Sequence, residues 1–203
     1  MELKTAVFIV ACFHLFNNLF KIHFFFKKID FKLFALFSVP SIIFAFLGAR
    51  SITLLPAKLL TTVLALFLIV FSVLSFIRPN LTFPPISINA LIGGGLSGFL
   101  AGLIGMGGAI RSMFLIAFKL PKEVYVATAA SIAFVIDCTR IPTYILTGAV
   151  ENREYYVLLP ALILIAYLGV RTGKHLLTKI DQVMFQKVVL GALLLVGVKL
   201  LFG

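Results

Sequence analysis

Long runs of apolar residues with very few charges recur along this chain of 203 residues. About 20 such residues in a row cross the hydrocarbon core of a bilayer as an α-helix. Only 12% of the residues are charged and 62% are hydrophobic, whereas soluble domains are about 25% charged. A soluble fold would lack the polar residues to cover its surface. The sequence therefore predicts an all-α fold, a polytopic bundle of transmembrane helices in a lipid bilayer.

Seven apolar segments are separated by short polar stretches. The proline-rich stretch 79–86 is the one clear linker, and it divides the chain into a first transmembrane repeat, 1–78, and a second, 87–203. The first segment is expected to be retained rather than cleaved as a signal peptide, because it contains Asn17-Asn18 and no A-x-A cleavage site. The seven segments cover roughly residues 4–26, 33–49, 56–77, 87–118, 121–149, 155–170 and 183–202.

Two similar tetrapeptides indicate an internal repeat. Residues 47–50 (LGAR) and 168–171 (LGVR) are each preceded by a proline, Pro40 or Pro160. Segments one to three therefore correspond to segments five to seven, and the first repeat is incomplete. The glycine-rich fourth segment has no counterpart, since that counterpart would lie before Met1.

The formal net charge of +11 is explained by Lys and Arg residues in short loops, because cytoplasmic loops of membrane proteins are enriched in these residues. If the fourth segment enters the membrane and returns to its own side, ten basic residues lie on one side and five on the other. A full crossing gives a nearly even split, so the first arrangement is favoured, and it makes the halves inverted repeats. No basic face remains for nucleic acid. The ten basic residues are Lys21, Lys27, Lys28, Lys32, Arg78, Lys119, Lys122, Arg171, Lys174 and Lys179.

Glycines dominate the fourth segment. Gly94, Gly98 and Gly102 repeat every four residues, a spacing that lets two membrane helices approach closely. Close packing explains these three glycines without a binding role.

The sequence Gly105-Met106-Gly107-Gly108 predicts a break in that helix, because each glycine costs about 1 kcal/mol relative to alanine in a helix interior. Broken backbone at membrane depth is tolerated where it is buried in protein or lines a cavity. The new helix N-terminus, which includes Ala109, would carry partial positive charge and favour an anion.

Three ionisable residues lie near this break or in the next segment: Arg111, Asp137 and Arg140. Charged groups inside a membrane span are costly and usually functional. Asp137 and Arg140 share a helix face, and a purely structural ion pair is the alternative. Two arginines against one carboxylate leave a surplus positive charge, which suits an oxyanion bound by guanidinium groups.

Neutral polar residues extend the candidate site. Thr128 and Ser131 would donate hydroxyl groups, unless each bonds a carbonyl of its own helix. In the first half, His14 corresponds to Asp137, and Asn17 and Asn18 fall near the position of Arg140. These three either line the same cavity or form interhelical hydrogen bonds. The predicted substrate site consists of Gly105, Gly107, Gly108, Ala109, Arg111, Thr128, Ser131, Asp137 and Arg140.

Motifs of enzymes and metal sites are missing from the sequence. It contains no HExxH, GxSxG or Walker pattern, so neither an enzyme nor a cofactor is predicted. Cys12 and Cys138 belong to no CxxC pattern, which argues against a disulfide or a bound metal. A metal-cation transporter is disfavoured by the lack of clustered carboxylates and thiols.

Three motifs are shared with a known family of permeases. They are GGGLSGFLAGLIGMGGAIRSMFL at residues 93–115, KEVYVATAASIAF at 122–134, and the LGAR and LGVR sequences, which we expect to form turns. On these motifs the chain resembles the TauE/SafE sulfite exporter family along essentially its whole length. The resemblance implies a permease of two similar halves in the cytoplasmic (inner) membrane. Its substrate would be a small anion: sulfite, sulfate or an organosulfonate.

The sequence departs from the family pattern in two places. Ala109 stands where the family often has a third glycine, and the first glycine-rich motif is absent. We expect one of three arrangements: a second copy in a homo-oligomer, a true start upstream of Met1, or a non-transporting membrane subunit or remnant.

Overall fold

The structure, a computed structural model, describes residues 3–50, 57–78, 84, 86–104, 106–146 and 156–202. Within these ranges the regular secondary structure is helical and no strand occurs, which confirms the all-α prediction. The short 3-10 helix Phe26–Lys28 joins the first two α-helices. The α-helices are α1 (Leu3–Phe25), α2 (Phe31–Arg50), α3 (Ala57–Ile77), α4 (Ser87–Ile104), α5 (Gly107–Ala117), α6 (Lys122–Leu146), α7 (Leu158–Lys179) and α8 (Gln182–Phe202).

The outer surface of the bundle is apolar. Three helical stretches among the described residues are long and apolar enough to cross a membrane: Phe8–Lys28, Phe31–Gly48 and Gln182–Phe202. Large apolar side chains on the outside include Leu195, 71% exposed, and Ile77, 69% exposed. A surface of this kind would be poorly solvated in water but matches lipid. The protein is therefore an integral, helical membrane protein.

One predicted boundary is wrong, and so is the expectation that the LGAR and LGVR sequences form turns. The sixth segment was expected to end near residue 170, but α7 continues to Lys179. The LGVR sequence consequently lies inside a helix rather than in a turn, and LGAR likewise belongs to α2. Cations are favourable near a helix C-terminus, so Lys174 and Lys179 extend α7 instead of ending it.

Aspartate side chains cap two of the helices. Oδ1 of Asp30 accepts a 2.9 Å hydrogen bond from the N–H of Leu33 at the start of α2. Oδ1 of Asp181 accepts a 2.6 Å hydrogen bond from the N–H of Met184 at the start of α8. Each bond satisfies an N–H that has no partner within its helix, as an N-cap does.

The ends of several helices meet at one end of the bundle. The N–H of Lys122 donates to Oε1 of Gln182 over 2.9 Å, and Nε2 of Gln182 donates to the carbonyl of Leu120 over 2.8 Å. The N–H of Asp30 donates to Oγ1 of Thr128 over 3.1 Å. The turns after α1, α5 and α7 therefore lie together, and most of the ten basic residues belong to or flank these turns.

Helices α4 and α5 form an antiparallel hairpin. Oγ of Ser97 donates a 2.8 Å hydrogen bond to the carbonyl of Gly107. Further along both helices, a Cβ on Gly93 would lie 2.7 Å from the ring of Phe114. The fourth segment thus returns toward the end where it began, as the charge count favoured. Helix α5 is about 16 Å long, roughly half the thickness of the hydrocarbon core.

Helix α2 packs closely on α4 through the predicted glycine face. A Cβ on Gly94 would overlap the carbonyl oxygen of Phe37, and one on Gly98 would overlap that of Ser41. Oγ of Ser41 also donates a 2.9 Å hydrogen bond to the carbonyl of Gly94. The close-packing role of these two glycines is confirmed.

The two halves contact each other through corresponding helices. Helix α1 packs on its counterpart α6, and α3 packs on its counterpart α8. Helix α1 also contacts α7, and its counterpart α6 contacts α2. Asn18 meets Asp137, and the later residue Asp30 meets the earlier residue Thr128, so α1 and α6 are antiparallel. If the halves are inverted repeats, corresponding helices such as α1 and α6 must be antiparallel. The inverted relation of the whole halves, and their division at 79–86, stay predictions.

Candidate functional site

The glycine-rich helix breaks where the sequence predicted. Helix α4 ends at Ile104 and α5 begins at Gly107, with Met106 (φ −108°, ψ 22°) as the residue before α5. A Cβ on Gly107 would overlap the carbonyl oxygen of Ser97. Only glycine therefore lets the start of α5 lie against α4. Gly105, part of the predicted site, falls outside the described residues.

A cavity of about 550 Å³ adjoins this break, between α5, α6 and α8. The cavity is lined mainly by apolar groups, which include Gly108 and Ala109 of α5 and side chains of α8, and Ser112 of α5 and Tyr125 of α6 add hydroxyl groups. The irregular backbone thus borders a cavity, as expected for a broken membrane helix. Some first-turn donors of a helix have no intrahelical partner, although the N–H of Ala109 bonds the carbonyl of Met106 over 3.4 Å.

Positive charge concentrates at the start of α5. The guanidinium of Arg111 lies beside the first turn, with Nη2 3.5 Å from where a Cβ on Gly108 would be. The charge of Arg111 also repels that of Lys21 of α1, as a smaller effect than the burial of Lys21. Both side chains are partly buried, so water screens this repulsion less than it would at a surface. The helix N-terminus adds partial positive charge at the same place.

Two hydroxyl groups accompany Arg111. Tyr125 is only 8% exposed, and its side chain is hydrogen-bonded to that of Ser112, within the field of Arg111. These groups lie on the wall of the cavity beside the helix break. They offer neutral hydrogen-bonding groups next to a cation.

Asp137 lies at the interface between α1 and α6. Nδ2 of Asn18 donates a 3.2 Å hydrogen bond to Oδ2 of Asp137, and the two residues are 7% and 6% exposed. The side chain of His14, the predicted counterpart of Asp137, is exposed instead. The side chain of Arg140 lies outside the described residues. The structure therefore pairs two of the predicted residues, one from each half.

The two predicted hydroxyl residues make local contacts. Thr128 is fully buried and accepts the N–H of Asp30, which fixes the α1–α2 turn on α6. Oγ of Ser131 donates a 2.9 Å hydrogen bond to the carbonyl of Ala127 in its own helix, the alternative weighed from the sequence.

Comparison with known proteins identifies the family. A family model described as sulfite exporter TauE/SafE matches residues 1–200. The chain belongs to the TauE/SafE sulfite exporter family. No curated protein and no solved structure gave a significant match. The resemblance inferred from the sequence motifs is confirmed, and it makes this TauE/SafE member a membrane transporter of the sulfite-exporter type.

The sequence analysis of this TauE/SafE member did not connect Lys21 with Arg111. Lys21 was counted with the basic residues of one membrane side; it lies within α1, inside the predicted first segment, and the charge of Arg111 acts on it. The sequence contained a signal that Lys21 lies beside the polar residues of α1. Lys21 follows Asn17 by four residues and Asn18 by three, so its side chain neighbours both on the helix surface. Ser112 and Tyr125 were also missed, and no spacing rule connects them before α5 and α6 are seen to pack together.

Proposed function

We propose that this protein is a multi-pass secondary transporter that moves a small anion across the cytoplasmic membrane. The anion is a sulfur oxyanion, sulfite or sulfate, or an organosulfonate. The observation that carries the proposal is the helix break before α5, which borders the cavity and has the guanidinium of Arg111 beside the first turn of α5. Family membership, shown by the match over residues 1–200, supports the same substrate class.

The electrostatics at the start of α5 favour an anion as the bound species. The N-terminus of α5 carries partial positive charge, and Arg111 places a guanidinium beside its first turn. Both attract an anion, and the charge of Lys21, which interacts with that of Arg111, acts in the same direction. A guanidinium also matches the oxygens of sulfite, sulfate and sulfonates with paired N–H donors.

Asp137 is assigned a separate role. The carboxyl group of Asp137 accepts a hydrogen bond from Asn18. Asp137 belongs to α6, the helix that also contains Arg140. It either orients Arg140 or accepts a coupling proton.

The experiment is a competition series with the full chain in proteoliposomes. Uptake of radiolabelled sulfate and of radiolabelled sulfite is measured with unlabelled methanesulfonate, chloride or a divalent cation added. We expect saturable uptake that sulfur oxyanions and sulfonates inhibit and that the cation leaves unchanged. Uptake no faster than in protein-free liposomes, for either labelled anion, would instead favour the non-transporting membrane subunit.

A further inference from the structure

A second cavity, of about 220 Å³, lies between α1, α6 and α7. It is distinct from the cavity beside the helix break, which lies between α5, α6 and α8. Its polar lining comes from Asn17 and Lys21 of α1 and from Lys174 of α7. The described residues that line it include no carboxylate.

Two glycines of α7 keep this cavity open. A Cβ added to Gly169 or to Gly173 would meet no atom within 4 Å, and both glycines line the cavity. Gly94 and Gly98 of α4 have the same four-residue spacing, yet there a Cβ would overlap the backbone of α2. The spacing that closes one helix pair therefore leaves space beside another.

Lys174 is held at this cavity by aromatic rings. Its Nζ lies 4.8 Å from the ring centroid of Phe24 and 5.9 Å from that of Phe25. Ammonium groups within about 6 Å of an aromatic ring are attracted to its face. The cation is therefore positioned beside the cavity, where Lys21 supplies a second positive charge and Asn17 an amide donor.

We propose that this α1–α6–α7 cavity is a second anion-binding site. Its ligand is a small group with sulfonate, sulfate or phosphate chemistry, either a free anion or the headgroup of an anionic lipid. Lys21 and Lys174 balance the charge, Asn17 donates a hydrogen bond, and the glycines of α7 provide room. The site shares Lys21 with the group around Arg111, whereas Asn17, Lys174 and the glycines of α7 line this cavity, and its occupancy requires no flux.

The test measures charge preference at a cysteine placed in the cavity. Gly173→Cys is introduced into a chain that carries Cys12→Ala and Cys138→Ala. Two methanethiosulfonates are compared, one bearing an ethylsulfonate and one an ethyltrimethylammonium group. The cysteine thiolate attacks the sulfenyl sulfur, a protein–reagent disulfide forms, and methanesulfinate leaves with the electron pair of the broken S–S bond. Each rate is divided by the rate of that reagent with a small free thiol.

We expect the normalised rate of the anionic reagent to exceed that of the cationic reagent severalfold. Lys174→Gln and Lys21→Gln should each reduce this preference, while Lys199→Gln, which removes a charge on α8, should not. Equal normalised rates, or a preference that neither lysine variant changes, overturn the proposal. Gly169→Cys provides a second position in the same cavity in case the first variant does not fold.

Protection of the cysteine distinguishes the two ligand sources. In phosphatidylcholine nanodiscs, slower labelling with added sulfate or methanesulfonate identifies a free-anion site. Slower labelling by the cationic reagent only after phosphatidylglycerol replaces phosphatidylcholine identifies a headgroup site, because the anionic bilayer by itself attracts that reagent. Protection by neither overturns the proposal. Labelling requires no flux, so failure here leaves the proposed transport function unaffected, and absence of flux leaves this site unaffected.

Discussion

The side-chain amide of Asn18 donates a 3.2 Å hydrogen bond to Oδ2 of Asp137 inside the bundle. The two residues are 119 positions apart and belong to α1 and α6, which correspond to each other in the predicted internal repeat. Hydrogen bonds to charged groups typically contribute about 1.5–3 kcal/mol, and a buried group that loses its partner costs a similar amount. This bond is therefore expected to hold the halves together.

Asn18→Leu should destabilise the protein by about 1.5–3 kcal/mol, because the buried Asp137 loses a hydrogen-bond donor. The measurement is the free energy of unfolding in detergent. Asp137→Leu and the double variant complete a double-mutant cycle, which should show a coupling energy between the two sites. Ser72→Ala is the control, since Oγ of Ser72 is buried and has no hydrogen-bond partner among the described atoms. Additive effects of the two leucine substitutions would contradict the bond.

Gly98→Ala should destabilise the protein by about 1–3 kcal/mol, a typical cost of overpacking. The new methyl group would overlap the backbone of Ser41, so α2 and α4 must separate. Gly191→Ala is the matched control, because a Cβ there meets nothing within 4 Å and alanine favours a helix. The midpoints of denaturation are compared, and equal stability of the two variants would refute the close approach of α2 and α4.

The sequence predicted the helices and the break because both depend on local properties. Apolar run length determines which segments can span a bilayer, and three glycines within Gly105–Gly108 weaken any helix there. The end of α7 was mispredicted because an amphipathic last turn with Lys174 and Lys179 resembles a loop in composition.

The candidate site was only partly predictable. Asn18 and Asp137 were both selected as polar residues in apolar segments, but the repeat alignment paired Asp137 with His14. Helical periodicity determines which residues share a face, whereas the register between two helices depends on how they pack. For the same reason the approach of Lys21 to Arg111 could not be derived from either segment alone.

Lys21→Gln should have opposite effects on stability and on anion affinity. Without anion, the substitution removes a partly buried charge and its repulsion from Arg111, so the free energy of unfolding should rise. With anion, one of two neighbouring cations is lost, so the apparent KM for sulfate or sulfite should rise severalfold. Lys58→Gln, at an exposed position of α3, should change neither quantity. A Lys21→Gln variant with lower stability and unchanged KM would contradict this interpretation.

The antiparallel hairpin of α4 and α5 predicts that residues 78 and 121 lie on the same side of the membrane. In a chain without Cys12 and Cys138, Arg78→Cys and Pro121→Cys should react with a membrane-impermeant thiol reagent from the same side. Lys58→Cys and Lys199→Cys should react from the opposite side. Labelling of Arg78→Cys and Pro121→Cys from opposite sides would show that the fourth segment crosses the membrane and that the halves are not inverted repeats.

The most direct test of anion transport is the initial rate of radiolabelled sulfite and sulfate uptake as a function of concentration. It compares the native chain with Arg111→Lys, Arg111→Gln and the control Lys58→Gln in proteoliposomes. We expect saturable uptake by the native and control chains and loss of uptake for Arg111→Gln. Arg111→Lys should retain part of the rate with a higher KM, because it keeps the charge but not the paired donors. Equal uptake by folded Arg111→Gln and native protein would contradict the role of Arg111, and no saturable uptake of either anion would contradict transport itself.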